Sequence, residues 1–108
     1  PGATLWAALA IALASGCLFG MAYAYHQTIW VPIGMHWAWN YLEGGVFGCA
    51  VSGAPLDYQP LITPRISGPD ILTGGAFGPE ASIICVALGI VLSTVYTVLY
   101  IKKYLYPK

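Results

Sequence analysis

The stretch that decides the fold is residues 5–25, LWAALAIALASGCLFGMAYAY, which carries no charged side chain. A helix needs about 20 mostly apolar residues to cross the hydrocarbon core of a membrane, and this stretch supplies them. Residues 81–101, ASIICVALGIVLSTVYTVLYI, form a second such run, and residues 29–51 form a third that only three polar side chains interrupt. The sequence therefore predicts an all-α integral membrane protein with three transmembrane helices.

The composition of the chain excludes two broad classes of protein. Hydrophobic residues make up 58% of the 108 residues and charged residues 7%, and the mean hydropathy is +0.72. A soluble domain usually carries about 25% charged residues, so this chain lacks the polar coat of one. Its four basic and four acidic residues cancel, which leaves no basic surface for nucleic acid. The three cysteines form no CxxC pair, and we expect them to pack as small apolar groups.

Proline and glycine concentrate between the second and third apolar runs, in residues 52–80. Such density breaks regular elements, yet the segment is too apolar for a free linker, so we expect an ordered loop at the membrane surface. Gly16 and Gly20, four residues apart in the first run, predict a notch where another helix approaches closely.

Two features predict that the three helices belong to a larger multi-span helical bundle. The sequence begins with Pro1 and not with methionine, and three helices alone shield polar groups poorly from lipid. We therefore expect residues 1–108 to be the C-terminal part of one membrane domain. Lys102 and Lys103 follow the last apolar run, and basic residues favour the cytoplasmic side. This predicts a cytoplasmic C-terminus.

His36 and Asn40 are polar residues within an apolar run that the sequence predicts to lie in the membrane. They lie four apart, so on a helix they share one face, and Glu43 extends the same stripe. An imidazole and an amide can each donate a hydrogen bond, and two fixed donors can hold an oxygen on which negative charge develops during acyl transfer. The spacing alone leaves a second interpretation open, in which both side chains only form hydrogen bonds between helices.

A metal site is a further possibility for the imidazole of His36. Zinc normally takes three or four protein ligands, and this part of the chain offers only His26, His36 and Glu43. His26 falls in the turn between two apolar runs. These residues do not predict a complete zinc site.

Residues 28–53, TIWVPIGMHWAWNYLEGGVFGCAVSG, resemble the last conserved region of the CPBP intramembrane proteases, also called the Abi or CAAX-protease family. The family pattern there is a tryptophan-proline entry, then HxxxN, then a glycine-phenylalanine-glycine exit. The matching positions are Trp30, Pro32, His36, Asn40 and residues 45–48. Residues 72–82, LTGGAFGPEAS, also resemble the family's approach to its final span. The likeness covers nearly the whole chain.

The resemblance implies a multi-span helical protein of the prokaryotic plasma membrane that cleaves peptide bonds at the bilayer. Its partners would be membrane lipids, a peptide or protein substrate that is prenylated in some members, and the remaining helices of the same protein. In the family, HxxxN is assigned to the oxyanion hole in one view and partly to a divalent metal such as zinc in another. His36 and Asn40 are the matching catalytic residues, and His36 would be the ligand if a metal is used.

Two departures from the family pattern shape the expected activity. The family's glutamate pair (EExxxR) is missing from the sequence, and its FxxxH motif is either reduced to FxxxY at residues 19–23 or lies before Pro1. The general base is therefore absent, and we expect residues 1–108 to cleave nothing alone. The alternative is a non-catalytic membrane protein on the same scaffold, acting in immunity or as a scaffold.

Overall fold

The structure, a computed structural model, describes residues 2–108, and within this range it contains helices and no β-strand. The predicted all-α fold is therefore confirmed. The helices are α1 (Leu5–His26), α2 (Trp30–Asn40, continued by a π-helical turn at Tyr41–Val46), a short α3 (Asp70–Thr73) and α4 (Ile83–Leu105). Helix α1 also contains a π-helical turn, at Ala12–Gly16.

Helices α1 and α4 are long and apolar enough to cross a membrane. They contain 22 and 23 residues, with hydropathies of 2.0 and 2.3. At about 1.5 Å per residue each spans the roughly 30 Å of a bilayer core. Helix α2 is shorter than the sequence predicted, because its helical conformation ends at Val46 and not near residue 51. Two of the three predicted spans thus have candidate helices, and the third stays a prediction.

Hydrogen bonds from a later segment of the chain explain where α2 ends. The N–H groups of Leu61 and Ile62 donate to the carbonyls of Gly45 and Val46, at 2.9 and 2.8 Å, and so satisfy acceptors that a helix end leaves open. Gly48 then adopts a φ of +65°, in a position where a Cβ would collide with the Ile62 carbonyl. The chain turns sharply here because another segment occupies the path that the helix would take.

Helix α1 and helix α4 lie side by side and run in the same direction. Near their N-terminal ends the Trp6 indole donates to the Ala81 carbonyl at 2.7 Å. Near their C-terminal ends the Tyr104 hydroxyl donates to the Tyr25 carbonyl at 2.9 Å. Gln27 ends α1 in the left-handed conformation, with φ at +56°, and α2 then runs back along α1.

The closest approach between α1 and α4 is at Gly89 and not at the predicted Gly16–Gly20 notch. A Cβ on Gly89 would collide with the Ala14 backbone, whereas one on Gly20 would meet nothing within 4 Å and one on Gly16 only the carbonyl of Ile11. Helix α4 crosses α1 on the face of Ala14, so within residues 2–108 no helix fills the predicted notch, which stays a prediction. Small side chains fill the interface, as in membrane bundles generally; the buried apolar residues are Ala7, Ala10, Ala14, Ala22, Ala81 and Val86.

The connection between α2 and α4, residues 47–82, folds back over the end of the bundle where α2 ends. The Gly53 N–H donates to the Phe77 carbonyl at 2.7 Å, which brings the two ends of the connection together. Gly78, with φ at +107°, lies against the Ala50 carbonyl, where a Cβ would not fit. The connection therefore covers the last turn of α2.

Candidate functional site

His36 and Asn40 lie one turn apart on the same face of α2, as their spacing predicted. The His36 ring stacks against the ring of Phe19 on α1, with 5.2 Å between centroids and 30° between planes. The remainder of the His36 side chain is exposed, and Asn40 is half-buried. The two side chains are therefore held beside α1 on a face that remains accessible.

Neither side chain forms a hydrogen bond with any other residue between 2 and 108. The Asn40 Oδ1 atom is buried and has no donor, and the His36 ring makes only the aromatic contact with Phe19. If the two residues served to join these helices, His36 or Asn40 would bond across to α1 or α4. The described helices contain no such bond, so their packing does not account for this pair.

Glu43 departs from the stripe that the sequence predicted. The π-helical turn at Tyr41–Val46 holds more residues per turn than an α-helix, so side chains in it rotate away from the face of His36 and Asn40. Glu43 is 5% exposed, and neither of its carboxyl oxygens has a hydrogen-bond partner. Glu43 instead lies in a buried position beside residues of the connection that follows α2.

Glu80 is a second buried carboxyl group, next to Glu43, and the sequence reasoning missed its role. It is 5% exposed, and its Oε2 atom accepts hydrogen bonds from the backbone N–H and the hydroxyl of Ser52, both at 2.8 Å. Its own backbone N–H and the Trp39 indole face the Glu43 carboxyl without reaching hydrogen-bond geometry. The sequence did offer a signal for this role: Glu80 is an acidic residue that directly follows a Gly-Pro pair in a chain with few charges.

Two cavities adjoin these residues. One, of about 430 Å³, has Glu43 in its wall and is otherwise lined by side chains such as Trp39, Phe47, Ile62 and Ile66. The other, of about 270 Å³, lies between α1, α2 and α4, where Phe19 and Trp39 contribute to the lining. Trp39 borders both, and it lies on α2 one residue before Asn40.

The residues around His36 do not fit a zinc ion. Nowhere between residues 2 and 108 do three His, Cys, Asp or Glu side chains come together so that they could hold a metal. His26 lies at the C-terminal end of α1, where its Nε2 atom is 3.3 Å from the Tyr96 hydroxyl. Within the described chain, His36 therefore has no second ligand.

Comparison with known proteins gives one match. Residues 2–42 match the model of a family described as type II CAAX prenyl endopeptidase Rce1-like. The matched segment includes His36 and Asn40 and stops just before Glu43. No curated protein and no solved structure matches the chain. The family match supports membership of the chain in the CPBP/CAAX-protease family, and it supports the resemblance over residues 28–42; residues 43–108 lie outside the match.

Proposed function

We propose that this member of the CPBP/CAAX-protease family is a membrane endopeptidase in which His36 and Asn40 stabilise the tetrahedral intermediate of peptide-bond hydrolysis. The family match and two helices able to cross a membrane support the class of protein. The role of the two residues rests on the observation developed next.

The observation that carries the proposal is the unused hydrogen-bonding capacity of His36 and Asn40. A half-buried amide without partners is costly, because a buried polar group that lacks a hydrogen bond forfeits about 1–3 kcal/mol. Such groups are retained where a ligand completes them. The buried Asn40 atom without a partner is the acceptor Oδ1; the N–H₂ donor of the same amide is also unused within residues 2–108, and it stands one turn from the imidazole of His36.

The proposed chemistry uses both side chains as donors. As a nucleophilic water adds to the scissile carbonyl, negative charge develops on its oxygen, and the imidazole N–H and the amide N–H₂ hold that oxygen. Donors fixed before the reaction stabilise the charge without reorganising. Phe19 fixes the imidazole plane by stacking. The groups that activate the water, a glutamate and a histidine in the family, would come from helices outside residues 1–108.

The proposal includes a third membrane span and an orientation. The helical segment at residues 30–46 runs antiparallel to α1, and at about 1.5 Å per residue it covers roughly 25 Å, nearly a bilayer core. Lys103 donates to the Tyr25 carbonyl at 3.4 Å, so the basic C-terminal end of α4 and the turn after His26 lie at one end of the bundle. Basic residues favour the cytoplasm, which puts the connection at residues 47–82 on the other side.

The test is cleavage of a membrane-anchored peptide reporter by the full-length protein in lipid vesicles. We expect His36→Ala and Asn40→Ala each to lower the turnover number by about 10²–10³-fold, the cost of removing one oxyanion donor. Gly34→Ala is the matched control on the same helix, because a Cβ there meets nothing within 4 Å. Normal turnover in either active-site variant would contradict the assignment and favour a non-catalytic scaffold.

A further inference from the structure

The cavity of about 430 Å³ at the loop end of the bundle has apolar walls and one carboxyl group in them, that of Glu43. Trp39 and Phe47 contribute aromatic rings to the walls, and Ile62 and Ile66 contribute aliphatic side chains from the connection between α2 and α4. An apolar cavity with a single carboxyl group in its wall favours a ligand that combines an apolar stem with a hydrogen-bond donor.

Glu43 forms no hydrogen bond within residues 2–108, although the Trp39 indole and the Glu80 backbone N–H lie near its carboxyl group. Its side chain is 5% exposed, and both carboxyl oxygens are without a hydrogen bond. The neighbouring Glu80 carboxyl is also buried, and its Oε2 atom is occupied by Ser52. No lysine, arginine or histidine among residues 2–108 acts on Glu43. Buried carboxyl groups are normally paired or hydrogen-bonded, since leaving them unpaired is costly. The missing partner is a donor, and a cationic donor would suit two adjacent acids best.

We propose that this cavity binds the basic side chain of a peptide, an arginine or a lysine, with its charged head on Glu43. Both side chains carry an apolar stem that packs readily against hydrophobic surface while the head reaches a polar group. The rings of Trp39 and Phe47 suit that stem, and aromatic faces also attract the cation. The role of the cavity as a substrate subsite rests on the proposed function. The binding of a cation in the cavity does not depend on that function.

The position of the cavity relative to Asn40 indicates what the subsite would do. Glu43 lies three residues after Asn40, in the π-helical turn that continues α2, less than one turn further along the axis but on another face of the helix. Trp39, which lines the cavity, is next to Asn40 in the sequence. A peptide with its basic side chain in the cavity would therefore present a bond near that side chain to His36 and Asn40. The cavity would select substrates with a basic residue close to the scissile bond.

Fluorine NMR of the full-length protein labelled with 5-fluorotryptophan, in lipid nanodiscs, tests this directly. The Trp39 signal is assigned with Trp39→Phe, and n-butylguanidinium and n-butylammonium are the probes. We expect both cations to shift the Trp39 signal saturably, while n-butanol, which has the same stem and no charge, does not. Equal binding of the alcohol would overturn the proposal.

Glu43→Gln is the decisive variant, since it keeps the shape of the side chain and removes its charge. We expect the affinity for n-butylguanidinium to fall about tenfold or more, as for the loss of a charged hydrogen bond. The Trp6 signal reports the fold in the same spectrum, because the Trp6 indole bonds to the Ala81 carbonyl. If this variant does not fold, the comparison of cation with alcohol in the unchanged protein still decides the question.

Two further measurements separate this proposal from its competitors. His36→Ala should bind n-butylguanidinium normally while its turnover number falls about 10²–10³-fold; unchanged turnover in that variant would reject the proposed function but not the cation site. Arg65 lies between residues that line the cavity and is exposed. If Arg65→Gln raises the affinity tenfold, the chain's own arginine is the occupant and the proposal fails. It also fails if calcium or magnesium displaces the organic cation at lower concentration.

Discussion

Ser52 donates two hydrogen bonds to one atom, the Oε2 of Glu80, from its backbone N–H and from its hydroxyl, each at 2.8 Å. Ser52 follows the end of α2, and Glu80 stands just before α4, so these bonds tie the two ends of the connecting segment together. Ser52 adopts a φ of +49°, unusual for a residue other than glycine. The strained turn is held because its two donors satisfy the buried carboxyl group of Glu80, which is a neighbour of Glu43.

We expect Ser52→Ala to destabilise the protein by about 1 kcal/mol, since one of the two hydrogen bonds to a buried acceptor is lost and the backbone bond remains. Thermal unfolding in detergent, followed by circular dichroism, measures the change. Ser67→Ala is the control, because Ser67 lies in the same segment, is exposed and takes part in none of these bonds. A stability change of similar size in the control would contradict the special role of Ser52.

Gly78→Ala should loosen the connection between α2 and α4. Gly78 has a φ of +107° and abuts the Ala50 carbonyl, and a side chain in such a conformation costs about 1–3 kcal/mol. Trypsin cleavage after Arg65, within the connection, reports its opening, and we expect cleavage to be roughly tenfold faster. Gly20→Ala is the control. An unchanged cleavage rate for Gly78→Ala would mean that the connection tolerates a side chain there.

The parts of the fold that the sequence predicted are those that depend on the membrane alone. The long apolar runs anticipated α1 and α4, because a segment without charge must form a helix in lipid. The shared face of His36 and Asn40 followed from their spacing of four. Both inferences need only helical geometry and the solvent, and neither depends on which segments meet in space.

The parts that the sequence did not predict depend on tertiary contacts. Helix α2 ends at Val46 because the distant Leu61 and Ile62 bond to its last carbonyls. A pattern of small residues suggested Gly16 and Gly20 as the contact, but Gly89 approaches α1 more closely because the crossing lies on another face. Glu43 and Glu80 are neighbours in space although they lie far apart in the chain, and no local pattern encodes this proximity.

Gly89→Ala should weaken the packing of α1 on α4. A Cβ at position 89 would collide with the Ala14 backbone, and forcing atoms into a packed interface typically costs about 1–3 kcal/mol. Gly20→Ala, where the Cβ meets nothing, should instead be neutral or stabilise by up to about 1 kcal/mol, because alanine favours the helix. Thermal unfolding of both variants under the same conditions decides between them. The opposite order would restore the notch at Gly16 and Gly20 as the interface.

Cys49, which borders the cavity of Glu43, offers a pH-dependent reporter of that acid. Burial, and then the negative charge of Glu43, raise the pKa of the Cys49 thiol. Since the thiolate is the reactive form, alkylation of Cys49 near pH 8 should be slow. Glu43→Gln removes the charge and leaves the burial, so the pKa should fall part of the way and alkylation should become several-fold faster.

The measurement follows iodoacetamide labelling between pH 7 and 10 in a background of Cys17→Ala and Cys85→Ala, which leaves Cys49 as the sole thiol of residues 1–108. Below the thiol pKa, a lowered pKa increases the thiolate fraction, so the labelling rates of the two variants should differ below that pKa and converge above it. Asp57→Asn is the control, because this carboxylate is exposed and water screens its charge. Superimposable pH profiles for the Glu43→Gln variant and the parent would show that the Glu43 carboxyl carries no charge felt at Cys49.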